Sequence, residues 1–277
     1  MKRTQAGVPG RRSRALAVLV PALVVFIAAC ARVPLTGRQQ LNLIPGEQIN
    51  SLAGEEYTQF ISSHQASGDS RATAQVRRVG ERIARAVEQF YASQGLQGEL
   101  AGYEWQFNLI QDDQVNAFAM PGGKVVVYTG ILPVTQNDAG LATVMGHEIA
   151  HVVARHGNER MSQALVVNLG GMALDAALKS RPAETRNLFL GAYGVGTQVG
   201  ALLPFSRQQE SEADHLGMIF MAMAGFDPAQ AIGFWERMSA QGGSAPPEFL
   251  STHPADERRI RDLQKLLPEA QRYYQAG

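Results

Sequence analysis

The sequence predicts an α+β fold, a helical body around a small, mostly antiparallel sheet. Three observations predict it. Apolar residues recur at helical spacing across residues 71–93, where Val76, Val79, Ile83, Val87 and Phe90 form one stripe. The period drops to two across residues 103–109, where Tyr103, Trp105, Phe107 and Leu109 alternate with polar neighbours. Beyond residue 130 the punctuation is that of helices, with a cap at Asn137 or Asp138, another at Ser206, and glycine stops at Gly157 and Gly225.

Residues 46–64 read as a first helix and 71–93 as a second, followed by the half-buried strand 103–109. Two further strands, 117–120 and 125–128, flank the turn Pro121-Gly122-Gly123. A helix is expected over 138–156. Residues 161–205 are rich in Ala, Gly, Leu and Val, and 188–205 carry no charge, enough by count for a membrane span. Gly191, Gly194, Gly196, Gly200 and Pro204 make a weak helix there, so a buried or surface-lying hairpin is expected instead. Ser206 with Gln209 three residues later is a capping box. Asp227-Pro228 starts the next helix, and Pro254 opens the last one after a loop over 241–252.

The chain has 277 residues, 45% hydrophobic and 18% charged, which suits a continuous core and excludes a disordered chain. One cysteine, Cys30, excludes an intramolecular disulfide framework and any all-cysteine metal site. The net charge of +0 conceals an uneven distribution. Lys2, Arg3, Arg11, Arg12 and Arg14 precede residue 30 with no acid among them. Without those five, 20 basic residues face 25 acidic ones, a poor electrostatic footprint for nucleic acid, which is not expected as a partner.

Residues 15–29 form an uncharged apolar run behind that basic segment, shorter than the about 20 residues of a span. This is the pattern of an export signal. It ends in Ile27-Ala28-Ala29-Cys30, which resembles a bacterial lipobox. The resemblance implies cleavage after a signal peptide of residues 1–29 and lipidation of Cys30. Residues 30–45 then serve as a lipidated tether to the membrane, with Ala31 favouring the outer one.

The chemistry is carried by His147-Glu148-Ile149-Ala150-His151, an H-E-x-x-H inside a predicted helix. Residues four apart are separated by about 40° of rotation and one turn, so both imidazoles reach one tetrahedral zinc. Glu148 overhangs the metal edge, where it can take a proton from water that zinc acidifies. A hydrolytic site needs a third ligand from another element. Glu210 and Asp214 share a face of the capped helix at i,i+4, so that one binds and the other stands behind it, unless both belong to a solvated acidic face. Glu212, between them, is expected to point away.

H-E-I-A-H followed by E-x-E-A-D resembles metallopeptidase family 48, the family of the CAAX prenyl endopeptidases, and in particular the catalytic part of its periplasmic lipoprotein branch. Pro34-Leu35-Thr36-Gly37-Arg38, the stretch Asn116 through Gly123, and Thr129-Gly130 match as well, so the resemblance runs from about residue 33 to about residue 260. It implies a zincin-like domain over 46–277 with one zinc per chain, held by His147, His151 and Glu210. It implies an endopeptidase whose partners are unfolded or misassembled polypeptides of the bacterial envelope, working in periplasmic quality control. Asp214 maps to a residue assigned as proton donor or as orienter of a zinc histidine, and orientation is preferred because Glu148 already delivers the proton. Tetratricopeptide repeats like those of that branch are not expected in this sequence, so recognition by repeats is not carried over.

A substrate is expected to add as a strand along 116–124, with Asn116, Ala117, Phe118 and Ala119 at the edge, unless these residues only shape the turn. His253, in Ser251-Thr252-His253-Pro254, is a candidate regulatory ligand able to occupy the open zinc position reversibly, or a helix-start residue. His156 falls half a turn from His147 on a continuous helix and is excluded as a ligand. His215 is expected at the surface or behind the ligands, His64 has no constellation, and Arg207 is expected to pair with Asp214 or Glu210. Two other functions compete: a zinc-bound chaperone or assembly factor with a peptide groove, and an integral membrane protease spanning through 188–205.

Overall fold

The computed structural model of the chain describes residues 30–33, 36–195, 206–241, 247–253 and 257–275. The expected signal segment, Pro34, Leu35, residues 196–205 of the apolar stretch and Pro254 lie outside the described residues. Two short strands open the fold, β1 (Cys30–Arg32) and β2 (Gln39–Leu41), paired antiparallel. The segment expected as a tether is therefore folded. Buried Gln40 donates through Nε2 to the carbonyl of Ala154 at 3.0 Å, pinning the ribbon to the end of the H-E-x-x-H helix.

Helices α1 (Gly46–Ser63) and α2 (Ser70–Ser93) follow. Asp69 caps α2 by accepting from Ala72 N at 2.9 Å. The expected stripe of Val76, Val79, Ile83, Val87 and Phe90 is fully buried. Gly80 lets the helix lie flat on the sheet, because a Cβ there would stand 2.3 Å from the Phe107 ring.

The main sheet has the order β3-β5-β4, from β3 (Gln106–Ile110), β4 (Ala117–Met120) and β5 (Lys124–Tyr128). β3 runs parallel to β5 and β4 antiparallel to it, so two of the three strand pairings described are antiparallel. The alternation at Tyr103 and Trp105 begins before the strand does; both pack on the core from the preceding turn. Helices cover both faces. Phe107, Leu109, Ala117, Val125 and Val127 join α2 and the H-E-x-x-H helix in one core. Ile110, Phe118, Met120, Val126 and Tyr128 face α1 and the helices after residue 156 in a second. Burial on both sides explains why β5 is a continuous apolar run and shows no alternation.

After the short α3 (Leu132–Thr135), α4 (Asp138–Val153) carries the H-E-x-x-H, capped by Asn137 accepting from Gly140 N at 2.9 Å. It stops earlier than the glycine signal suggested. Arg155 takes a left-handed conformation at φ 61°, the chain reverses, and α5 (His156–Leu169) begins. Gly157 lies in the first turn of α5, where a Cβ would be 2.1 Å from the Tyr193 ring, so its smallness serves packing and not a helix stop.

Helices α6 (Leu174–Ser180) and α7 (Pro182–Ala192) follow. No single helix among the described residues is long and apolar enough to cross a membrane; α5 and α6 pass that test only as a pair bent by 53°. The capping box at Ser206 and Gln209 is present and opens α8 (Arg207–Met223). Gly225, at φ 76°, ends it. The last elements are α9 (Gln230–Ala240), the short α10 (Glu248–Thr252) inside the expected loop, and α11 (Glu257–Ala270).

Candidate metal centre

Two glycines bring the ligand-bearing helices together. A Cβ on Gly217 of α8 would lie 3.0 Å from the backbone nitrogen of His147, and one on Gly146 of α4 would lie 3.1 Å from the carbonyl oxygen of Gly217. Backbone therefore rests on backbone where α4 crosses α8. That contact puts the first turn of α8 over the two histidines of α4. Glu210 in that first turn also gains from the positive end of its own helix.

His147, His151, Glu210 and His253 each direct one donor atom into a common point, all within 4.8 Å of one another and all buried. His151 Nε2 is 3.1 Å from His147 Nε2 and 3.3 Å from Glu210 Oε1. His253 Nδ1 lies 3.2 Å from His147 Nε2 and 3.0 Å from Glu210 Oε1. Its ring stacks on Phe249 of α10 at 4.5 Å between centroids. Three imidazoles and a carboxylate converging on one point are a donor set that fits zinc.

Asp214 stands where the i,i+4 spacing put it, with Oδ1 3.0 Å from His147 Nδ1, the nitrogen facing away from the common point. Arg259 of α11 was not anticipated. Its guanidinium donates to Glu210 Oε2 at 2.9 Å and to Asp214 Oδ1 at 2.6 Å, and it lies 3.2 Å from the Trp235 ring centroid. Arg207, which had been expected in that role, is exposed and makes no ion pair among the described residues. It sits at the start of α8 on the solvent side, whereas Arg259 arrives from a separate helix, which no spacing rule within α8 reveals.

Two further residues form the rear of the site. Glu212 points away from Glu210 and Asp214, as expected, but into the protein and not to solvent: it is buried and faces His156. His156 is no ligand of the cluster, but the reversal at Arg155 folds it back so that its Nδ1 lies 2.9 Å from His151 Nδ1. His215 pairs with Glu269 at 3.0 Å, half-buried and outside the cluster, and His64 caps Phe60 near the surface.

Burial would push Glu210 up, but His253, Arg259 and the two α4 histidines hold it well below the usual carboxylate range. Burial also works against a charged His147, yet the Asp214 and Glu210 acceptors prevail and raise it to about 9. His151 is driven well down, chiefly by burial. Glu148 is pushed up by its burial. Its Oε1 makes no aligned hydrogen bond among the described residues, and His253 Nε2 is 3.3 Å away.

β4 is an edge of the main sheet as described, and it packs along α4, with Asn116 just before it. Asn116 fixes its start, accepting from Tyr128 N through its carbonyl at 3.1 Å and from Ala117 N through its own side chain at 2.9 Å. The helix before His253 touches the same place, with Phe249 N donating to Val115 O at 3.3 Å.

An H-E-x-x-H helix beneath an edge strand, with a glutamate from a second helix closing the donor set, defines a zinc metallopeptidase of the zincin kind. The sequence signature described as Peptidase family M48 matches residues 70–267. The chain is 34% identical over 254 residues to the mitochondrial metalloendopeptidase OMA1 of Schizosaccharomyces pombe, covering 90% of this chain and 69% of that one. It is 29% identical to the human mitochondrial metalloendopeptidase OMA1, over 86% of this chain and 46% of the relative. With the β-barrel assembly-enhancing protease of Escherichia coli it shares 34% identity over 57% of this chain and 33% of that protein. The chain belongs to peptidase family M48, whose members are zinc metalloendopeptidases, while spanning less than half of the human and E. coli relatives.

Proposed function

We propose that the chain is an endopeptidase of the bacterial envelope that cleaves misfolded or stalled polypeptides, held at the membrane through Cys30. The convergence of His147, His151 and Glu210 beside the buried carboxyl of Glu148 carries the hydrolytic part of this reading. When bound by those three residues, zinc supplies a Lewis acid that polarises the scissile carbonyl and acidifies water. Glu148 takes the proton of the attacking water and hands it to the leaving amine; its raised pKa suits a group that must do both. Asp214 holds His147 through Nδ1, keeping its Nε2 turned toward the point where the donor atoms converge. The substrate adds as a strand along Ala117, Phe118 and Ala119, next to the metal ligands, with backbone hydrogen bonds supplying affinity.

His253 gives this reading a resting state. It occupies the fourth donor position and crowds Glu148, so a peptide carbonyl enters only after the 247–253 segment withdraws. The envelope location rests on the N-terminal segment and on the name of the E. coli relative; the names of the yeast and human relatives speak for a mitochondrial setting in those organisms.

Glu148→Gln should retain zinc and lose casein cleavage by about 10²- to 10⁴-fold. A variant that keeps the cellular role without cleavage would favour the chaperone reading instead. His253→Ala should raise basal cleavage, and equal or lower activity at unchanged zinc content would remove the resting-state role.

A further inference from the structure

The three acids of E-x-E-A-D face one metal centre from different sides. Glu210 reaches the donor cluster, Asp214 backs His147, and Glu212 lies behind the other histidine. His151 directs Nε2 at the cluster and Nδ1 at His156 Nδ1, 2.9 Å away. His156 is fully buried, and its Nε2 lies 3.3 Å from Glu212 Oε2, an oblique contact at ion-pair distance. Both oxygens of Glu212 accept from elsewhere as well: Thr36 Oγ1 donates to Oε1 and Arg38 Nε to Oε2, each at 2.5 Å. The rest of the Arg38 guanidinium grips Glu159 of α5 with Nη1 at 2.9 Å and Nη2 at 2.8 Å.

Proton placement along this chain has one consistent solution. A carboxylate already accepting at both oxygens can only accept again, so the proton of neutral His156 sits on Nε2. Its Nδ1 is then an acceptor, and the facing Nδ1 of His151 must be the donor. That leaves the lone pair of His151 on Nε2, the atom aimed at the donor cluster. His147 reaches the same state directly, with Nδ1 against Asp214.

We infer that Glu212 is a positioning residue for the metal ligand His151, acting through His156 and itself held by Thr36 and Arg38. The segment around residues 36–38 is thereby part of the metal centre, although it precedes the family match at residues 70–267. Thr36 and Arg38 thus have a chemical role that a tether would not require. Any movement of the N-terminal ribbon is transmitted to His151 through three side chains.

The inference rests on the reading of His151 as a ligand, and one experiment separates the two. Zinc affinity of the full chain is measured by chelator competition for the unsubstituted protein and for His151→Ala, His156→Phe, Glu212→Gln and Arg38→Met. Visible spectra of the cobalt-loaded forms and melting temperatures of the metal-free forms accompany it. His156→Phe and Glu212→Gln are expected to weaken zinc binding by about 10- to 100-fold and to alter the cobalt bands. Arg38→Met should do so to a smaller extent, with metal-free melting temperatures moving far less than the affinities. Wild-type affinity and cobalt spectrum in Glu212→Gln would overturn the inference while leaving the ligand reading intact. So would losses of affinity that merely track equal losses of metal-free stability. Unchanged affinity in His151→Ala would instead overturn the ligand reading and the inference with it.

Discussion

Gly217 and Gly54 are both helical glycines, yet alanine should act on them with opposite sign. At Gly54 in α1, a Cβ would meet nothing within 4 Å, so Gly54→Ala should gain the ordinary helix propensity difference of about 0.8–1 kcal/mol. At Gly217 the same methyl would press on backbone, 3.0 Å from His147 N and 3.1 Å from Gly146 C. Overpacking against atoms that cannot rotate away costs about 1–3 kcal/mol. Set against the same propensity gain, Gly217→Ala should lose about 0–2 kcal/mol, so the two variants should differ by about 1–3 kcal/mol. Urea unfolding of the metal-free proteins measures that difference. Relief of the clash also moves α8 away from α4, and Glu210 with it, so zinc affinity should fall in Gly217→Ala and stay unchanged in Gly54→Ala. A Gly217→Ala protein as stabilised as Gly54→Ala, with unaltered zinc affinity, would refute the claim that this crossing sets the ligand geometry.

Two more outcomes follow from the charges around the site. His147, raised to about 9 by Asp214 and Glu210 against the effect of burial, is protonated below that pH, so zinc must displace a proton. Zinc affinity should therefore rise about tenfold per pH unit toward pH 9 and level off above it; competition titrations showing no dependence between pH 6 and 9 would contradict this. Arg259→Met removes the guanidinium shared by buried Glu210 and Asp214 and leaves them to share His147 alone, which should cost about 3–5 kcal/mol in the metal-free protein. Urea unfolding with and without zinc should show the variant recovering part of that loss, because the metal restores positive charge beside Glu210.

What could be read from the sequence was local. The stripe of α2, the cap at Ser206 and the pairing of His147 with His151 each follow from a fixed number of residues per turn, and all three are present. Glu210 and Asp214 were placed on one face by the same rule, although only the resemblance made Glu210 a ligand. The failures arose where the chain departs from a continuous helix or where a partner comes from far away. His156 was assigned by rotation along a helix that in fact breaks at Arg155, so its position behind His151 was invisible. Glu212 was dismissed for facing away from Glu210, and it does, toward α5 and the N-terminal ribbon. Arg259 and Arg38 lie 49 and 174 residues from the acids they hold. Their side chains carry no periodic signal; only the match of Thr36-Gly37-Arg38 to related sequences marked one of them.

Zinc content of the purified full chain tests the central claim most directly. It should be measured by mass spectrometry alongside His147→Ala, His151→Ala and Glu210→Ala. The account predicts one zinc per chain, lost or sharply reduced in each of the three variants, with folding retained by circular dichroism. A folded wild-type protein that takes up no zinc, or one whose zinc survives all three substitutions, would contradict it.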